Sequence, residues 1–346
     1  MTFRFFRRFR IAPGVHLNLS KGGVSMSVGP RGLKATSGTS GRRFTAGIPG
    51  TGLHYTKVAK PGRSGSRAAG AVAHSPEHAE PIRTGFWRNL GTSAEEKAFV
   101  EGVNAAARGD DQAAAGHLAK ARGLPDADFL AGVLLIGNHR WDEAALLLRS
   151  AHEAGDELGW LFGKYGANVS VGLAISDEIS VQVGADRIGV LLCLVEVYQG
   201  LNRQADAIAC LEELLRLAGG DVVVQLSLAE FLMETRPAPQ DRCRKVVSLT
   251  QETQNVSELH AALLLYRGQA LRDLGLPTAA RDALTAGLRR RKDRRPEILN
   301  ALRYERGLVY LELKQKQRAR RELETLYAAD PDYEDVAERL GLESSG

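Results

Sequence analysis

The sequence predicts an α+β, multidomain chain: a small N-terminal antiparallel β-meander, then an α-helical repeat solenoid with a β-hairpin inserted near residues 168–183. Three observations carry this expectation. Apolar and polar side chains alternate between Gly and Pro turns through residues 11–57, the period-two signature of half-buried strands. Beyond residue 93, a Gly is followed in four places by Ala twelve residues later and by Leu sixteen residues later, a recurrence that marks stacked helical units. Between two of those units, residues 168–183 alternate again. At 346 residues the chain exceeds what one core usually serves. The expected division is a basic β-module at 1–60, a flexible linker at 61–92 and a helical-repeat domain at 93–341.

Charge divides the chain in the same way. Residues 1–76 hold thirteen Lys and Arg and no Asp or Glu, leaving 33 basic against 41 acidic residues in the remainder. A head of that sign is suited to an anionic partner, whether nucleic acid, a lipid surface or the chain's own acidic body. Arg interrupts the apolar residues of MTFRFFRRFR, so no signal-peptide core is read there. With no apolar run near the length of a membrane span, a cytoplasmic location is expected. Cys193, Cys210 and Cys243 fall in apolar helical patterns and read as buried thiols of a reducing compartment.

Within the head, Val15, Leu17 and Leu19 alternate with His16, Asn18 and Ser20. After the Lys21-Gly22-Gly23 turn, Val24, Met26 and Val28 alternate with Ser25 and Ser27, which reads as a hairpin with one apolar face. Gly29-Pro30-Arg31-Gly32 turns the chain into Leu33–Thr36, a second Gly/Ser turn leads to Phe44, Ala46 and Ile48, and Pro49-Gly50-Thr51-Gly52 precedes Leu53–Val58. The run APGVHLNLSKGGVSMSVGPRG followed by FTAGIPGTGLHY resembles the bacterial domain of unknown function 4236 over about residues 1–57. That resemblance implies a small β fold and a bacterial origin, and it carries no chemistry onto any residue.

Gly47-Ile48-Pro49-Gly50-Thr51-Gly52 lacks the Gly-Lys-Ser/Thr of a phosphate loop and reads as turn glycines. His16 and His54 read as polar-face residues. The candidate anion-binding residues are Arg4, Arg7, Arg8, Arg10, Lys21, Arg31, Lys34, Arg42 and Arg43, with Phe3, Phe5, Phe6 and Phe9 interleaved at one end. Two readings stand: cations and aromatics that meet phosphates and bases, or an apolar strand face solvated by charge.

The stretch AKPGRSGSRAAGAVAHSPEHAEPI is poor in bulky apolar residues and reads as a tether. His74 and His78 have helical metal spacing, but Pro76 separates them and no third ligand follows. Ser93-Ala94-Glu95-Glu96 then forms a capping box, hydroxyl and carboxylate each taking an N–H at a helix start. The recurrent triplets are Gly102/Ala114/Leu118, Gly132/Ala144/Leu148, Gly268/Ala280/Leu284 and Gly307/Ala319/Leu323, with Cys193/Ala205/Ala209 as a fifth copy. The small residues let two helices approach, and the Leu fills the groove between them. The pattern, with its tight turns at Gly109-Asp110-Asp111 and Gly275-Leu276-Pro277, resembles the tetratricopeptide repeat in degenerate form.

Uneven spacing leaves room for a further helical hairpin at about 222–252 and for the insertion NVSVGLAISDEISVQV. Its Asp177-Glu178 turn is acidic where Lys21 makes the head's turn basic, and two readings stand: the head docks on 168–183 by strand pairing and opposite charge, or the hairpin only caps the neighbouring helices. Arg289-Arg290-Arg291-Lys292 with Arg294-Arg295, and Arg318 with Arg320-Arg321, read as solvated surface. No nucleophile and base, carboxylate pair or metal cluster stands at catalytic spacing. The expected function is therefore a non-enzymatic interaction scaffold, without cofactor or metal, that binds a protein or peptide through its repeats. The alternative is a nucleic-acid or anionic-surface binder led by the head.

Overall fold

The structure is a computed structural model that describes residues 10–11, 33–38, 41–47, 54–59, 92–165, 167, 169, 171–174 and 179–342, with the strands described by backbone alone. The chain divides into two compact units, one within Arg7–Leu217 and the other within Ala218–Gly346.

The first unit is built mainly of helical hairpins. Helices α1 (Ala94–Ala107) and α2 (Asp111–Leu118) form one pair, and α3 (Pro125–Gly137) and α4 (Trp141–Glu153) the next. A short α5 (Trp160–Lys164) follows, and then the pair α6 (Arg187–Gly200) and α7 (Gln204–Leu217). The second unit holds α8 (Val222–Leu232) with α9 (Gln240–Leu249), α10 (Glu258–Asp273) with α11 (Pro277–Leu288), α12 (Pro296–Glu312) with α13 (Lys316–Ala329), and a short closing helix α14 (Val336–Leu340). Within each unit, successive pairs pack on their neighbours, so stability accumulates along the series.

Local chemistry sets the helix ends. Ser93 Oγ accepts from the Glu96 N–H at 3.2 Å, Asp110 caps α2 through the Ala113 N–H, and Asp186 caps α6 through the Gly189 N–H. Pro opens α3, α11 and α12, where its missing N–H costs nothing. Five hairpins turn in the same way. The first helix ends on a left-handed residue, namely Gly109, His139, Asn202, Gly275 or Lys314. The next residue's N–H returns to a carbonyl five positions earlier: Asp110 to Ala105, Arg140 to Leu135, Arg203 to Tyr198, Leu276 to Leu271 and Gln315 to Tyr310, at 2.8 to 3.0 Å. This is the closing bond of a Schellman turn.

The strands β1 (Arg10–Ile11), β2 (Leu33–Gly38), β3 (Gly41–Gly47), β4 (His54–Ala59), β5 (Val171–Ala174) and β6 (Ile179–Val183) join in one ladder of order β1-β5-β6-β4-β3-β2, every pairing antiparallel. This corrects the expected α+β class. Where side chains are described, the chain is a helical, tetratricopeptide-like solenoid. Among the described residues there is neither a free-standing N-terminal β-meander nor a separate hairpin at 168–183. The physical reason is edges: three short strands leave open ladders and too little apolar cover to stand alone, whereas pairing β4 with β6 and β1 with β5 closes the inner edges and leaves β1 and β2 as the outer strands. The expected hairpin at residues 15–28 lies outside the described residues.

Candidate functional site

The seams between paired helices are where the repeated residues act. A Cβ built on Gly102 would lie 2.8 Å from Leu118 Cγ, on Gly132 2.7 Å from Leu148 Cγ and on Gly268 2.5 Å from Leu284 Cγ. No real Cβ sits so close, so each glycine makes room for its leucine. At Gly307 the nearest atom, Leu323 Cδ2, is 3.5 Å away, an ordinary contact. Ala114, Ala144, Ala280 and Ala319 are fully buried beside these leucines. At these four seams glycine, alanine and leucine thus lie side by side.

The fifth copy is shifted by two residues from its expected place. Ala205 and Ala209 are exposed, while Val195, Ala207 and Leu211 are fully buried. Val195 stands seven residues before the left-handed Asn202, as Gly102 stands before Gly109. A larger residue in the first position hid the copy from a search for small ones, and the Asn that tolerates a positive φ was the signal that could have found it.

Sequence reasoning missed a charged cluster in the second unit. Glu305 on α12, nearly buried, accepts from Arg272 at 2.5 Å, from Gln269 at 2.7 Å and from Arg236 at 3.2 Å. Asp273 accepts from Arg236 at 3.2 Å and from the Ala238 N–H at 3.0 Å. Arg272 also donates to the more exposed Glu312 at 2.8 Å. Burial works to lower the Arg272 pKa, but Glu305 and Glu312 outweigh it and hold the guanidinium charged above its ordinary value. The cluster leaves a strip of polar groups along α10 and α12, the first helices of neighbouring pairs.

In the first unit, charges hold the segment that leads into the sheet. Asp126 accepts from the Phe162 N–H at 2.8 Å and from the Gly159 N–H. Burial raises its pKa, and those N–H bonds oppose the rise. Glu96 contributes its N–H to the Ser93 cap, while its carboxylate accepts from Lys164 Nζ and Tyr165 OH, both at 2.6 Å. Of the capping box, the Ser half is seen as expected, and the Glu side chain serves α5.

Of the candidate anion-binding residues, Arg4, Arg7, Arg8, Lys21 and Arg31 lie outside the described residues. Arg10 is on β1, Lys34 on β2, and Arg42 and Arg43 on β3. The register puts Lys34, Thr45, Thr56, Ser180, Ala174 and Arg10 in one row across all six strands. The adjacent row, which belongs to the opposite face, reads Leu33, Ala46, Tyr55, Val181, Leu173 and Ile11. The run at 289–295 is partly engaged: Arg290 and Arg294 donate to Asn255, and Arg295 pairs with Glu258. Arg320 pairs with Glu324.

Cys193, Cys210 and Cys243 are buried thiols, and burial pushes Cys210 up to about 12. Among the described residues, no group of three or more His, Cys, Asp or Glu is placed to hold a metal ion. Nor is any helix there long and apolar enough to cross a membrane.

Serial hairpins with one common seam and one common turn define a helical-repeat protein of the tetratricopeptide-like class. Residues 3–56 match the family described as a protein of unknown function, DUF4236. The chain is similar to the N-terminal domain of the EccA1 ATPase from the ESX-1 secretion system of Mycobacterium tuberculosis, at 15% identity over 71% of this chain and 88% of that one, with a TM-score of 0.39. It is similar to TTC0263, a thermophilic tetratricopeptide-repeat protein of Thermus thermophilus, at 16% identity over 63% and 97% of the two chains, with a TM-score of 0.35. It is also similar to the apo quorum sensor NprR of B. thuringiensis, at 15% identity over 74% and 71%, with a TM-score of 0.37. No curated protein sequence matches.

Proposed function

We propose that this chain is a non-enzymatic interaction scaffold that binds a protein or peptide through its helical repeats and uses the basic N-terminal β-module as a second contact. The observation that carries the reading is the polar strip on α10 and α12. The seams orient these first helices side by side, and Arg272 links the nearly buried Glu305 to Glu312, which is 42% exposed at its side chain. Such a strip offers fixed charges to an extended ligand, and repeat proteins bind along surfaces of this kind. The division into 1–60, 61–92 and 93–341, and a cytoplasmic place of action, belong to the same proposal. Docking of the head on residues 168–183 is supported by the pairing of His54–Lys57 with Ile179–Gln182.

The test is selection from a displayed random peptide library on the immobilised full chain. Peptides enriched by the wild type should lose at least ~10-fold in affinity on Glu312→Lys, a loss of about 1.4 kcal/mol. No enrichment over bare resin, or binding indifferent to Glu312→Lys, overturns the reading.

A further inference from the structure

We infer that Arg291, Arg303 and Arg306, with the Thr285 hydroxyl, form a binding site for a doubly charged phosphate group on the second unit. The site belongs to the side of α12 turned away from the polar strip: at about 3.6 residues per turn, positions 303, 306 and 310 fall together and positions 305 and 312 fall opposite them. Arg306 is largely buried, its side chain 14% exposed. It donates to Glu322 Oε1 of α13 at 2.5 Å and to Thr285 Oγ1 of α11 at 3.4 Å, and it stands 5.9 Å from the centroid of the Tyr310 ring. Its Nε is buried without an acceptor among the described residues. Arg318 of α13 lies over the same ring at 5.9 Å and keeps the surroundings positive. Arg303, half-buried one turn before Arg306, makes no hydrogen bond or ion pair among the described residues. Burial, and then the guanidinium of Arg291 from the α11–α12 loop, push its pKa below the ordinary value; Arg306 adds to the fall and Glu322 opposes it.

Such a set is costly to hold without an anion. Three guanidiniums share one carboxylate, a net charge of +2, and that carboxylate is already taken by Arg306. A half-buried cation flanked by like charges raises the free energy of the empty site, and an anion that binds there recovers it. The charge count selects the ligand. A carboxylate cancels half of the excess, whereas a phosphate monoester carries about −1.5 to −2 at pH 7 and three acceptor oxygens. Guanidinium forks fit those oxygens two at a time. Glu322 inside the set repels the next charge of an extended polyanion, so the occupant is compact. The inference goes beyond the peptide reading. The two use opposite sides of α12, and either stands if the other fails.

The test is isothermal titration calorimetry of the full chain in chloride buffer at fixed ionic strength. The probes are inorganic phosphate and a phosphoserine blocked at both ends, with blocked aspartate as the singly charged comparison. Both phosphates should bind, the tighter of the two identifying free phosphate or a modified peptide as the source, and the aspartate should bind at least ~10-fold more weakly. Arg303→Gln should weaken phosphate at least ~10-fold. Arg291→Gln, at an exposed loop position where folding is not at stake, should weaken it at least ~3-fold. Arg320→Gln removes the same charge from an exposed pair on α13 and should leave binding near wild type. Phosphate should also raise the melting temperature of the wild type more than that of Arg303→Gln. No heat from either phosphate, binding indifferent to Arg303→Gln and Arg291→Gln, an equal loss from Arg320→Gln, or blocked aspartate binding as tightly as phosphate overturns the inference.

Discussion

Replacing Gly268 by Ala isolates what the helical seam demands. In an open helix the change should stabilise by about 0.8–1 kcal/mol through propensity. Here the new Cβ would stand 2.5 Å from Leu284 Cγ and 2.6 Å from its Cδ2. Leu284 is fully buried, so it cannot swing into solvent, and overpacking of this kind costs about 1–3 kcal/mol. The net expectation is a loss of roughly 0–2 kcal/mol. Two further measurements give the prediction its sign. In a Leu284→Ala background, itself destabilised by about 2–5 kcal/mol, the clash is gone and Gly268→Ala should stabilise, so the double-mutant cycle should show a coupling of about 1–3 kcal/mol. Gly307→Ala, whose Cβ would meet Leu323 at an ordinary 3.5 Å, should stabilise the wild type by about 0.5–1 kcal/mol. Guanidinium unfolding of the full chain reads these as midpoint shifts at constant slope. If Gly268→Ala stabilises as Gly307→Ala does, with no coupling to Leu284, the glycine does not serve the leucine and the seam argument is refuted.

Glu305→Ala removes the acceptor shared by Arg272 and Arg236, which keep Glu312 and Asp273 as partners, and leaves Gln269 without its acceptor, so it should destabilise by about 1–3 kcal/mol; an unfolding midpoint within error of wild type would show that the cluster contributes nothing. Lys314 closes its hairpin at a φ of 57°, where a side chain costs roughly 1–2 kcal/mol and Gly recovers part of it, so Lys314→Gly should raise the melting temperature, and more than Asn202→Gly does. Hydrogen bonds from Lys164 and Tyr165 hold the Glu96 carboxyl below its ordinary value. Its contribution is therefore complete above about pH 4.3 and lost as pH falls through the lowered folded value. Glu96→Gln should lose less stability than wild type between pH 6 and pH 3, and parallel curves would dismiss the assignment.

What the sequence made legible is what acts over a single hairpin. Gly102, Ala114 and Leu118 span one turn and two helices, so their spacing is set by helix geometry and survives in four copies. The copy with Val195 escaped because the search was for small residues, although the turn it feeds keeps the same left-handed geometry at Asn202. The cluster around Glu305 was not legible at all: Arg236 and Glu305 are 69 positions apart, and no local period announces a partner at that range. The sheet lies between these cases. Alternation marks a strand from its own residues, but which strand lies beside it is decided by the open edges of distant segments. The head and the residue 171–183 strands were therefore read as a meander and a hairpin, at most docked, where one ladder exists.

That ladder is tied to the helices of the first unit by contacts of Asp126, Glu96 and Asp186. Residues 159–186 leave and rejoin the helices at one place. Gly159, at a φ of 89°, has Ala185 O within 2.8 Å of where a Cβ would be, so the two ends of the insertion touch through backbone that admits no side chain. Asp126 of α3 caps the start of α5, Glu96 of α1 grips Lys164 and Tyr165 at its end, and Asp186 caps the helix that resumes the solenoid. Strands launched from so fixed a base cannot slide along the repeats. From that base β6 pairs with β4, and β3 and β2 follow it in the ladder.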